Sequence, residues 1–112
     1  MNHTIPVLKP TIATYFNASN RDELAQLASC FAADAVVVDE NHTYRGSNEI
    51  RDWINKTHEH FVFKAEPTAV EERSGEFLVT GLIAGNFPGS PVELHYNFRL
   101  IDDRIASLTI VE

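Results

Sequence analysis

The sequence predicts an α+β fold: three N-terminal helices packed on one face of a strongly curved, mainly antiparallel sheet. Three observations carry this. Apolar residues recur at three- and four-residue steps through the first half, as on one face of a helix. After Phe61 the composition turns β-branched and aromatic, in segments parted by Ser74-Gly75, Phe87-Pro88-Gly89-Ser90-Pro91 and Asp102-Asp103. Helices followed by a run of strands is the order of an α+β domain, with helices covering one sheet face. Such a sheet beside three helices leaves a cone-like hollow.

Taken in order, Leu8, Ile12, Tyr15, Phe16 and Ser19 mark the buried face of the first helix. Pro6 and Pro10 each suit only a first turn, so its start stays open. The pattern restarts in "NASNRDELAQLASCF", where Asn20 is placed to cap and Glu23 to reach back to it. Leu24, Leu27, Ala28 and Phe31 form that second helix's stripe. A short strand, residues 35–39, contains three consecutive valines, as a strand covered on both faces would. It stops on a polar turn. Ser47 is placed to cap a third helix, with Glu49 in its first turn and Ile50, Trp53, Ile54, Thr57 or His58, and Phe61 at core spacing. Four strand segments complete the chain: "FVFKAEPTAVEERS", "EFLVTGLIAGNF", "PVELHYNFRLI" and "RIASLTIVE". Pro67 marks a break or bulge in the first, and Gly81 and Gly85 suit curvature in the second. There is no repeat, linker or low-complexity tract, and residues 1–112 read as a single domain.

Bulk properties narrow the function classes. The chain has 112 residues, of which 44% are apolar and 22% charged, an ordinary globular composition. A formal net charge of −7 provides no electrostatic reason to seek nucleic acid or an anionic membrane. No run approaches the roughly 18 apolar residues of a membrane span. "MNHTIPVLKP" lacks the basic-then-apolar plan of a signal peptide, so a cytoplasmic location is expected. Asn-x-Ser/Thr occurs at Asn2, Asn17, Asn41 and Asn55; two of these fall inside expected helices, so the matches are read as chance. The single cysteine, Cys30, excludes an intrachain disulfide and sits at helical core spacing.

Several side chains are candidates for chemistry. Strand alternation puts Ala35, Val37 and Asp39 on one face. If that face lines the hollow, Asp39 does too, and desolvation raises its pKa toward a useful general-base range. Otherwise Asp39 begins the turn by bonding nearby amides. Glu40 points the other way. His42 either orients the carboxylate and shuttles its proton or is an exposed loop histidine. Tyr44 and Arg45 close the rim or form a surface pair. Trp53 is core or cavity wall. In "VELHYNFRL", Val92, Leu94, Tyr96, Phe98 and Leu100 share one face, and Glu93, His95, Asn97 and Arg99 the other. His58 and His60 stand two apart, whereas a helical two-histidine metal site needs four, so no metal is expected.

These residues resemble a family. "YFNASNRDELAQLASCFAADAVVVDE", "YRGSNEIRDWI", "GNFPGSPVELHYNFRL" and "RIASL" are similar to the SnoaL-like branch of the nuclear transport factor 2-like superfamily. That cone-shaped α+β superfamily includes ketosteroid isomerase, scytalone dehydratase and polyketide cyclases. The likeness to ketosteroid isomerase implies Asp39 as base and Tyr15 as oxyanion donor, with Tyr96 standing where a second, acidic donor is expected. Tyr96 is a weaker donor than a protonated acid, so the departure speaks against steroid isomerisation and leaves other proton transfers open.

The resemblance implies a pocket for a small apolar molecule; Asp39 and Tyr15, with His42 from its place beside Asp39 across the turn, are the catalytic candidates. Tyr96, Trp53, Phe16 and Phe98 are the candidate ligand-binding walls. No cofactor is implied. A cofactor-independent isomerase, cyclase or dehydratase is one reading. A non-catalytic binding module is a second, and a protein-interaction domain using its sheet face a third. A homodimer through the sheet is the expected partner.

Overall fold

The structure, a computed structural model, describes residues 7–112, so Asn2 and Pro6 lie outside the described residues. Three helices, α1 (Pro10–Asn20), α2 (Leu24–Ser29) and α3 (Gly46–His60), accompany six strands. The strands are β1 (Phe31–Asp39), β2 (His42–Arg45), β3 (Phe63–Arg73), β4 (Glu76–Gly85), β5 (Val92–Ile101) and β6 (Arg104–Val111). One sheet holds all six in the order β2-β1-β6-β5-β4-β3. Every pairing is antiparallel except β1 with β6. The β1–β2 hairpin precedes α3, so among the described residues two helices, not three, stand ahead of the first strand. None of the described helices is long and apolar enough to cross a membrane.

Two-residue turns fix three hairpins. Glu40-Asn41, Ser74-Gly75 and Asp102-Asp103 all have positive φ at both positions. That backbone twists with the strands it joins, and Gly, Asn and Asp tolerate it best. It explains why the valine run stops so sharply after Asp39. Pro67 coincides with a register shift between β3 and β4, where Gly81 faces it. Gly85 is needed for close approach: a Cβ there would run into the Val62 carbonyl oxygen.

The helix caps differ from expectation. α1 runs through Asn20, whose side chain caps nothing local. Its amide donates to the Ala65 carbonyl at 2.8 Å, and its oxygen accepts from the Ala65 N–H at 2.8 Å. Asn20 therefore ties the end of α1 to β3, leaving Glu23 at the start of α2 without a side-chain cap. Nor does Ser47 cap α3, which begins one residue earlier. Its first turn is held instead by the Arg45 N–H donating to Glu49 Oε1 at 2.9 Å. β1 begins at Phe31, four residues before the expected strand, because Phe31 pairs in parallel with Ile105 of β6.

The core lies between the helices and the inner sheet face. Ile12, Phe98, Ile105 and Leu108 are fully enclosed. Tyr15 and Phe16 of α1 meet Tyr96 and Phe98 of β5 edge-on, with ring centroids 5.0–6.3 Å apart. Edge-to-face contacts of this kind add to the area term of burial. Cys30 is buried at the end of α2.

Candidate active site

A cavity of about 450 Å³ opens between α1, α3 and the inner sheet face. Tyr15, Trp53, Ile54, Ile83, Leu94 and Tyr96 contribute to its largely apolar wall. Asp39, at the end of β1, joins that wall because alternation carries the Ala35–Val37 face, fully buried at both residues, one step further. Glu40 also reaches the lining but is exposed, at the mouth.

The carboxylate of Asp39 is held rather than free. Trp53, on the inner face of α3, donates from Nε1 to Asp39 Oδ2 at 3.0 Å. Trp53 is fixed in turn by Phe31, edge-on at 6.4 Å, and by Tyr44, tilted at 6.0 Å. Burial raises the pKa of Asp39 above the ordinary carboxylate value. The Trp53 hydrogen bond, a backbone bond at Glu40 and the charge of His42 oppose that rise, while the charge of Glu40 adds to it. Desolvation is the largest influence, so the rise survives.

Tyr15 and Tyr96 face the same space. Burial raises the pKa of both phenols, and the Asp39 charge pushes each further. Both hydroxyls are therefore neutral donors within electrostatic reach of Asp39. Among the described residues no hydrogen bond holds either hydroxyl in place. A carboxylate with raised pKa beside two unengaged phenols can take a proton and steady an oxygen that gains charge.

The remaining expected site residues fall differently. His42 stands opposite Asp39 in the β1–β2 pair, but its Nδ1 donates to the Glu40 carbonyl at 3.1 Å, its ring is exposed, and it is not in the lining. Phe16 and Phe98 are buried behind Tyr15 and Tyr96 as support, not as lining. Tyr44 packs on Trp53, and Arg45 is exposed. Asn17 and Asn55 lie within α1 and α3.

Sequence reasoning missed a second polar group in the lining. His58, on α3, donates from Nδ1 to Asp22 Oδ1 at 2.9 Å, and its Nε2 lies 3.4 Å from Ser19 Oγ. The signal was present: Ser19 and His58 are polar residues on otherwise apolar helical stripes.

No curated protein matches the chain. Among solved structures, a candidate polyketide cyclase from Sinorhizobium meliloti superposes with a TM-score of 0.89 at 36% identity, over 93% of this chain and 95% of that one. A Catenulispora acidiphila protein with a ketosteroid isomerase-like fold, in complex with trimethylamine, superposes at 0.84 with 18% identity, over 95% and 87%. An LEH-like epoxide hydrolase from M. tuberculosis superposes at 0.74 with 14% identity, over 89% and 77%. At such identities the last two share the fold alone. The SnoaL-like domain profile matches residues 12–108, nearly the whole described chain, and the chain belongs to the SnoaL-like domain family.

Proposed function

We propose that the cavity takes a small, largely apolar, carbonyl-containing molecule and that Asp39 removes a proton beside the carbonyl. The enzyme would be a cofactor-independent isomerase, cyclase or dehydratase. The observation that carries this reading is a carboxylate of raised pKa, oriented by the Trp53 indole, in one apolar cavity with two neutral phenols. Tyr15 and Tyr96 then donate to the enolate oxygen as it gains charge, and Trp53 keeps the carboxylate aimed.

Isomerisation, cyclisation and dehydration of such a compound all begin with the same proton removal. The test is therefore exchange of deuterium from D2O into the α-position of a small cyclic ketone, followed by NMR. The parent protein should catalyse exchange, and Asp39→Asn should slow it by about a hundredfold or more, the usual worth of a positioned general base. Equal exchange with both proteins would sink the general-base role and leave a binding module.

The assembly proposed is a homodimer through the outer sheet face. Leu82 and Val111 are 43% and 54% exposed there, beside His95 and Asn97. A specific pair would bury on the order of 1,500 Å² in total. Light scattering at tens of micromolar should give twice the chain mass, and a monomer there would refute it.

A further inference from the structure

Asp22, His58 and Ser19 form a hydrogen-bonded chain that the proton transfer at Asp39 does not use. Asp22 is in the α1–α2 turn, 71% exposed at its side chain, whereas the His58 ring is 6% exposed. Ser19 is buried as well, at 6% exposed. Both His58 and Ser19 line the cavity. His58 lies five residue steps beyond Trp53 on α3, about 7.5 Å along the helix axis. The cavity lining thus carries polar groups at Asp39 and, about one and a half turns along α3 from Trp53, at Ser19 and His58.

The chemistry of the second place is specific. A carboxylate only accepts, so the His58 proton sits on Nδ1 toward Asp22. In the neutral ring Nε2 is then an acceptor facing Ser19. At 3.4 Å that contact is longer than a well-made hydrogen bond. Neither group is fully used. A ligand hydroxyl fits both at once, donating to Nε2 and accepting from the Ser19 hydroxyl. A ketone could only accept from Ser19, leaving Nε2 without a donor.

We propose that Ser19 and His58 bind a hydroxyl group of the ligand, so that the molecule carries a carbonyl at the Asp39 end and a hydroxyl at the other. This rests on the cavity's being a ligand pocket. Asp22 acts as a positioning residue that fixes the His58 tautomer. A purely structural tie between α3 and the α1–α2 turn would need only the Asp22–His58 bond. It would not need a buried serine beside Nε2 with both residues in the cavity lining.

The probes are 2-acetylnaphthalene, its 6-hydroxy derivative and its 6-methoxy derivative, titrated calorimetrically into the parent protein. The hydroxy compound should bind about tenfold more tightly than the other two, because only it can donate to Nε2. His58→Phe, which keeps a ring against Phe63, should bring the ratio of hydroxy to unsubstituted affinity, read within the one variant, down to about one. Ser19→Ala should reduce the preference by part. If all three bind the parent equally, the second polar end is overturned and the pocket stands. If none binds, the pocket reading falls and this inference with it. The comparison in the parent protein decides even if His58→Phe does not fold.

Discussion

Replacing Trp53 with alanine should lower stability by about 3 kcal/mol, the largest single loss expected from the site. The indole is 8% exposed and touches Phe31 and Tyr44. Truncating a buried tryptophan typically costs about 3–5 kcal/mol, as lost transfer energy plus a cavity term. Here the low end applies. The space left by the indole opens into the existing cavity, where water can enter, so the void term is smaller than in a closed core. Urea unfolding at pH 7 should show the midpoint falling by about 2 M. A fall below about 0.5 M would mean that the indole contributes little packing.

Trp53→Phe separates the two roles of that side chain. Phenylalanine keeps most of the contact with Phe31 and Tyr44 but removes the Nε1–H that Asp39 accepts. The loss should be about 1–3 kcal/mol, the cost of stranding a partly buried acceptor. It should also raise the Asp39 pKa further, because the indole bond is the chief influence lowering it.

The faces of the strands were legible because alternation is a local rule. Ala35, Val37 and Asp39 point inward together, and so do Tyr96 and Phe98. Trp53 at core spacing was equally plain. The family likeness added Tyr15 and Asp39 as one pair across 24 residues, and the cavity holds both.

What stayed hidden was non-local. Asn20 has a capping residue's chemistry, but its amide is spent on Ala65, 45 residues away. Phe31 fits a helical stripe equally well, and only its parallel pairing with Ile105 makes it the first residue of β1. Ser19 and His58 meet across 39 residues, and each alone is an unremarkable polar residue. His58 drew notice as an alternative to Thr57 at core spacing and beside His60, which is exposed and takes no part in the lining. Local propensity carries no information about partners that the fold supplies.

Asp39→Asn should leave the chain folded and at least as stable as the parent at pH 7, with the difference shrinking as the pH falls. Burial makes the ionised carboxylate poorly solvated in the folded state, so its folded pKa lies above the unfolded value of about 3.9. Between those two values the folded state binds more protons than the unfolded one. Stability therefore falls as pH rises through that window, and the charge stays a burden at neutral pH. Below the unfolded pKa both states are protonated and the burden is gone. Asparagine keeps the shape and an oxygen for the Trp53 Nε1–H, but it has no charge to desolvate. Its stability curve should lack the parent's slope above about pH 4. The decisive measurement is a carbon-13 NMR titration of the Asp39 carboxyl. A midpoint above the ordinary value supports a desolvated base. A midpoint at or below it means that the hydrogen bonds from Trp53 and the Glu40 backbone outweigh burial, and Asp39 would then be a turn-capping aspartate that happens to face a cavity.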